Sequence, residues 1–193
     1  MNESYLFLAD GFEEIEALTP VDILRRADIP VKTVSINKTR EVTGAHGVTV
    51  VADVTFDEVV FEDAEWLILP GGMPGAKNLH DFTPLLNIVK KQAVSETGHI
   101  AAICAAPGVV LGAEGLLGGY KATAYPGFTD LLVGAEVVNE PVVIDRKYVL
   151  APGPAKAAVW ALAIVKVQCG IDKSAEVASQ MLFPPTVLDP LMD

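Results

Sequence analysis

The chain has 193 residues, 51% hydrophobic and 20% charged, which excludes intrinsic disorder and provides for a sizeable core. Fourteen basic against 25 acidic residues leave a formal charge of −11, a balance that repels phosphate backbones and anionic lipid and sets aside nucleic-acid and membrane-surface roles. Two cysteines, Cys104 and Cys169, are too few for a disulfide framework or a multi-cysteine zinc site and point to a reduced, cytoplasmic compartment.

Tyr5–Ala9 reads as the first strand, continuously apolar as expected for a sheet covered on both faces. A helical pattern follows over Glu13–Ala27, then a strand at Val31–Ile36 and a small hairpin over Glu41–Val51, with Gly44 and Gly47 at its turn. The strand Trp66–Leu69 leads to a helix over Pro84–Thr97. The strand Ile100–Ile103 leads directly to a helix over Ala105–Glu114. Pro141–Tyr148 reads as a second hairpin turning at Asp145-Arg146, followed by the strand Tyr148–Ala151 and the helix Pro154–Cys169. The tail from Phe183 to Asp193 is too rich in proline to continue a helix and reads as coil. Alternation of this kind predicts an α/β sandwich around a mostly parallel sheet, and the length fits one domain, 1–193. No apolar run reaches the roughly 18–20 residues that span a bilayer. The N-terminus enters a strand without a basic stretch, so no signal peptide is read.

Ligands of open α/β sheets bind beyond the carboxyl ends of the strands, which selects the loops Asp10–Glu16, Pro70–Ala76 and Cys104–Gly108. Cys104 is the sharpest signal. It sits between the strand and a helix opening at Ala105-Ala106-Pro107-Gly108, with Ala102 and Ala106 two positions either side, as a tight nucleophile elbow requires. A helix N-terminus lowers a thiol pKa to roughly 3.5–7.5, which predicts a thiolate at neutral pH. The alternative is a buried core cysteine, and that is the reading given to Cys169.

Glu16 falls on the apolar arc of the first helix with Ala17, Val21, Ile23 and Leu24, whereas Glu14 lies off it. A carboxyl on a buried face is costly unless protonated, paired or functional. Glu13 sits where an anion favours the helix dipole. Pro20 leaves the Glu16 carbonyl without its helical partner, predicting a kink or a start near Thr19. An acidic first turn without further role is the alternative for Glu16. Leu69-Pro70-Gly71-Gly72-Met73-Pro74-Gly75 matches neither dinucleotide nor P-loop motifs. Beside an elbow cysteine it predicts an oxyanion hole with the N–H groups of Gly72 and Ala105 as donors. His99 lies about 16 Å back along the strand from Cys104, at the wrong end of the sheet. His46 and His80 read as surface positions. No cluster has metal-ligand spacing, and no cofactor motif is read.

The run Leu8-Ala-Asp-Gly-Phe-Glu-Glu-Ile-Glu16 with Pro20-Val-Asp-Ile-Leu-Arg-Arg-Ala27 resembles the opening of the ThiJ/PfpI superfamily, in the branch of the Parkinson-disease-associated protein and its bacterial relatives. Leu69-Pro-Gly-Gly72, Ala101-Ala-Ile-Cys-Ala-Ala-Pro107 and Gly153-Pro154 continue the likeness in order and spacing. The resemblance implies a flavodoxin-like three-layer sandwich of the class I glutamine amidotransferase-like type, usually a homodimer. It implies an oxidisable nucleophile at Cys104, a protonated Glu16 bonded to it, backbone donors at Gly72 and Ala105, and Gly71 lining the site. Arg26 matches a position near the dimer interface. Tyr125 stands where the family carries a histidine, and His46 where an arginine reaches in from the partner subunit. Ala105 replaces the histidine that follows the cysteine in PfpI-type peptidases, so peptidase activity is not implied. The implied chemistry is cofactor-free and metal-free, acting on a small-molecule aldehyde such as methylglyoxal or on a glycated protein. A redox-sensing chaperone whose cysteine oxidises to sulfinate is the alternative.

Overall fold

Short apolar runs become the strands of one seven-stranded sheet in the computed structural model, which describes residues 2–192. In chain order the elements are β1 (Ser4–Leu8), α1 (Glu14–Arg26), β2 (Val31–Ser35), β3 (Glu41–Thr43), β4 (Thr49–Val51), β5 (Val54–Thr55), β6 (Trp66–Leu69), α2 (Gly75–Asp81) and α3 (Thr83–Val94). They continue with β7 (His99–Ile103), β8 (Lys121–Ala122), β9 (Glu136–Val137), β10 (Val143–Asp145), β11 (Tyr148–Ala151), α4 (Ala157–Cys169) and α5 (Ile171–Gln180).

The large sheet runs β10-β11-β7-β6-β1-β2-β5. Every pair in it is parallel except β10 with β11, so the expected hairpin turning near Asp145 forms its edge. The first hairpin is also present, β3 against β4 with Val42 opposite Val50. Strand residues alternate between two cores. Leu6 and Leu8 face the layer of α1, α4 and α5, while Tyr5, Phe7 and Ala9 face Leu79, Leu85 and Val89 on α2 and α3. Burial on both faces is why the strands are apolar throughout. α4 is apolar nearly all round because α1 packs on one side and α5 on the other. The order reverses at β1, flanked by β2 and β6, and the crevice at their carboxyl ends is where an open sheet of this order binds its ligand. The architecture is the flavodoxin-like α/β sandwich. No helix of the described residues is long and apolar enough to cross a membrane.

Several local expectations are corrected. α1 starts at Glu14 and runs through Pro20, neither delayed nor broken, because Glu13 caps its first turn ahead of the proline. The helix expected over Ala105–Glu114 is a π-helical segment, Pro107–Gly112, with wide bonds such as Ala113 N–H to Gly108 O at 2.9 Å. A neighbouring turn packs against it so closely that a Cβ on Gly108 would lie 2.5 Å from the Phe128 carbonyl. The tail is not coil. Pro185–Leu191 forms tight helical turns that bury Leu188 and Leu191 in the α4 layer, and Asp193 lies outside the described residues. α2, α5 and the two-residue strands were not anticipated.

Candidate active site

Three loops converge beyond the ends of β1, β6 and β7, and they are the three selected from sequence. Cys104 follows β7 directly and holds φ at +65°, a conformation uncommon for a residue with a side chain. Its N–H donates to Ala151 O at 2.9 Å, and its carbonyl accepts from Tyr125 N–H at 2.8 Å. Bonds on both sides thus fix the strained residue, as an elbow requires. The thiol is half-buried.

Glu16 is fully buried on the first turn of α1. The Glu13 carboxylate accepts the Glu16 N–H at 2.7 Å, so the anion at the helix start is the cap. Glu16 Oε2 accepts the Gly71 N–H at 2.9 Å. Its other oxygen, Oε1, is buried without a conventional partner, and the Cys104 thiol is the polar group beside this carboxyl. Gly71 permits the approach: a Cβ there would lie 2.6 Å from both Cys104 Cβ and Glu16 Oε2.

Burial pushes Glu16 up to about 7; the thiol and the Gly71 N–H oppose that rise, and the Glu13 charge adds to it. Burial also pushes Cys104 up to about 12, with the Glu16 carboxylate reinforcing the rise while the N–H groups of Gly72 and Ala105 favour the anion. The expected dipole-lowered thiol is therefore corrected. The helix beyond the elbow is a single six-residue π segment, and desolvation beside a carboxylate outweighs its pull. Near pH 7 the Cys104 thiol keeps its proton while Glu16 is about half ionised, so the expected protonated glutamate beside a thiolate is replaced by a thiol beside a titrating carboxyl.

The cleft above the sulfur has a volume of about 550 Å³ and is walled by Glu14, Ile15, His46, Val48, Tyr125 and Pro154. Tyr125 and His46, both expected near the site, line it. His46 reaches it from the same chain as Cys104, on the turn between β3 and β4, where the resemblance implied a residue reaching in from a partner subunit. Its ring Nδ1 lies 2.7 Å from Glu14 Oε2, a bond that raises the histidine pKa above its ordinary value. Glu13, Glu14 and His46 offer ligating atoms within 4.8 Å of one another, a set with the chemistry to hold a cation that sequence spacing did not disclose. His80 is not a free surface residue: it bonds Glu114 at 2.9 Å. His99 stacks on Trp66 at 4.5 Å between ring centres at the far end of β7, away from the cysteine as expected. Sequence reasoning missed Glu14, which lies off the apolar arc and acquires its partner only when the hairpin folds over.

The DJ-1/PfpI family model matches residues 3–167. Protein DJ-1 homolog B of Arabidopsis thaliana is 35% identical over 175 residues, covering 91% of this chain but 40% of the plant protein, so the chain spans less than half the length of that relative. Deglycase PH1704 of Pyrococcus horikoshii is 36% identical over 166 residues, 84% of this chain and 97% of the archaeal one. The solved structure of oxidized Toxoplasma gondii DJ-1 superposes with a TM-score of 0.90 at 36% identity, over 95% of this chain and 99% of that one. The strand order, the elbow and the matched residues together make the chain a member of the DJ-1/PfpI family.

Proposed function

We propose that the protein is a cysteine-dependent, stress-protective enzyme acting on small reactive dicarbonyls such as methylglyoxal or on their protein adducts, as a cofactor-free glyoxalase or deglycase. The observation that carries this reading is the buried Glu16 against the elbow thiol, a carboxyl that ionises near neutral pH beside a protonated sulfur. The names of archaeal relatives, deglycases, support the same class. The Cys104 sulfur adds to the aldehyde carbon while the Glu16 carboxylate takes the thiol proton. The C=O electron pair moves onto oxygen beside the N–H donors of Gly72 and Ala105, and Glu16 returns the proton to that oxygen. In the resulting hemithioacetal of methylglyoxal, Glu16 removes the proton from the sulfur-bearing carbon and an enediol forms. Reprotonation at the neighbouring carbon gives a thioester. Water cleaves the C–S bond, releasing lactate and restoring the thiol. Carbon oxidation at one centre is matched by reduction at the next, so no external redox partner enters.

The redox-sensor alternative draws on the same Gly72 and Ala105 donors, which would bind the oxygens of a sulfinate. Burial favours the enzyme reading. A protonated thiol presents an oxidant with no standing thiolate, whereas carbonyl addition with Glu16 as acceptor needs none. The reading includes pairing with a second copy along Ile15 and Leu18, which stand exposed on α1 at 55% and 41% beside the cleft. Lactate production from methylglyoxal, with intact mass on the same samples, tests the enzyme. Turnover that vanishes in Cys104→Ser supports it. Absence of turnover, with two oxygens added at Cys104 under mild peroxide, transfers the assignment to the sensor.

A further inference from the structure

The β3–β4 hairpin forms one wall of the cleft above Cys104, and its root and tip are fastened differently. The root is held largely through the backbone: Gly11 N–H donates to Thr43 O at 2.8 Å, and Thr43 N–H donates to the Asp10 carboxylate at 2.9 Å. The tip, residues 44–48, turns back on itself through Gly44 N–H to Val48 O at 2.9 Å. One backbone bond, Ala45 N–H to Phe12 O at 2.7 Å, ties the tip to the body. Among the described residues, the rest of its hydrogen bonding to the body is to one side chain. Glu14 Oε1 accepts the His46 N–H at 2.7 Å and approaches the Val48 N–H at 3.5 Å, while Oε2 pairs with the His46 ring at 2.7 Å.

The exposures of the two partners decide which one anchors. The Glu14 side chain is 12% exposed and the His46 side chain 71%, so the carboxylate lies under the tip and the ring lies over it. Bonds to an ion shielded from water are the stronger kind. The tip is also shaped around this carboxylate: a Cβ on Gly44 would overlap it. Two residues further along the same helix turn, Glu16 points inward to the sulfur. Glu14 borders the cleft, but its two carboxylate oxygens are turned to the hairpin tip.

We propose that Glu14 is a positioning residue that clasps the hairpin tip over the cleft, so that His46 and Val48 restrict access to Cys104 to small carbonyl compounds. This rests on Cys104 being the reacting group. Releasing the clasp opens the wall and admits bulkier electrophiles without altering the elbow.

The test uses two thiol reagents of different bulk, iodoacetamide and N-phenylmaleimide, with labelling of Cys104 read by peptide mass spectrometry so that Cys169 does not interfere. With each rate divided by that of the same reagent on free glutathione, the bulky reagent lags the small one in the unaltered protein. Glu14→Ala narrows that gap by about tenfold, the factor expected from losing a charge-assisted clasp. Glu14→Gln narrows it by less, because its amide oxygen still accepts the His46 and Val48 N–H groups although the ion is gone. Gly44→Ala narrows it as Glu14→Ala does, by displacing the carboxylate without removing it. Amide exchange at His46 and Val48 quickens in the two variants that open the tip. An unchanged gap in Glu14→Ala overturns the proposal, as does an equal acceleration of both reagents, which would mark general loosening. Labelling needs no turnover, so an inactive protein would defeat the enzyme reading while leaving this outcome decidable.

Discussion

Glu16 and Cys104 meet across a backbone that carries no side chain: Gly71 donates its N–H to Glu16 Oε2 at 2.9 Å, and the space its Cβ would fill is bounded by both side chains at 2.6 Å. β6 therefore contributes to the chemistry by being thin at its end. Substituting Gly71→Ala forces the cysteine and the glutamate apart. A displacement near 1 Å costs about 100-fold in rate, while overpacking costs about 1–3 kcal/mol in stability. Lactate assays alongside thermal unfolding separate the two effects. Activity within a few-fold of the parent would show that the close approach is not needed.

The ionisation of Glu16 sets a pH dependence. Glu16, pushed up to about 7 chiefly by burial, must be ionised to accept the thiol proton, whereas the thiol at about 12 stays protonated over the working range. The value of kcat/KM should then rise with pH to about 7 and level above it, lying about tenfold below the plateau one unit under that point. Glu16→Gln removes the rising limb and lowers activity by about 10²–10⁴-fold. A flat profile from pH 5 to 9 in the parent protein would dismiss Glu16 as the acceptor.

The same group makes stability fall with pH. The unfolded chain releases the Glu16 proton near the ordinary value of 4.5, the folded chain near 7, so within that window the unfolded state binds fewer protons. Its contribution is intact below about 4.5, declines as pH rises and is fully lost above about 7. The loss amounts to about 3 kcal/mol. Glu16→Gln, which keeps an oxygen for the Gly71 N–H, should lose that much less between pH 4.5 and 7.5 in urea titrations. Parallel curves for the two proteins would place the titration elsewhere.

What was legible in the sequence follows from local rules. Uninterrupted apolar strands announce a sheet covered on both faces, and the small residues around Cys104 announce an elbow, found with φ at +65°. Glu16 was visible because a carboxyl on an apolar arc must face something in the interior. Glu14 was not, since its role depends on His46, brought to it by the folding of the hairpin. The thiol pKa was misjudged because a dipole argument counts the helix behind the sulfur, while the burial and the carboxylate beside it are tertiary facts. The π-helical segment was hidden for a similar reason. Gly108 reads in sequence only as part of a helix opening, and the Phe128 carbonyl pressed against it shows what its missing side chain permits.

Association of two copies makes its own prediction. Ile15, Leu18 and Asp22 follow one another at helical spacing on the outer face of α1, with Arg26 bonded to Asp22 at 2.9 Å beyond them. Apolar residues exposed next to a functional cleft, rimmed by an ion pair, are the composition of an interface with a dry centre and a polar edge. Sedimentation at micromolar concentration should give twice the 20.4 kDa chain mass. Leu18→Lys inserts a charge at the centre of that stripe on a side chain already 41% exposed, so it should shift the protein to monomer with little change in folding. If the unaltered chain sediments as a monomer, the apolar stripe is surface and each cleft is complete in one copy. If Leu18→Lys stays dimeric, the contact lies on another face. A monomeric variant that keeps its methylglyoxal turnover would further show that His46, held by Glu14 of the same chain, serves its own Cys104.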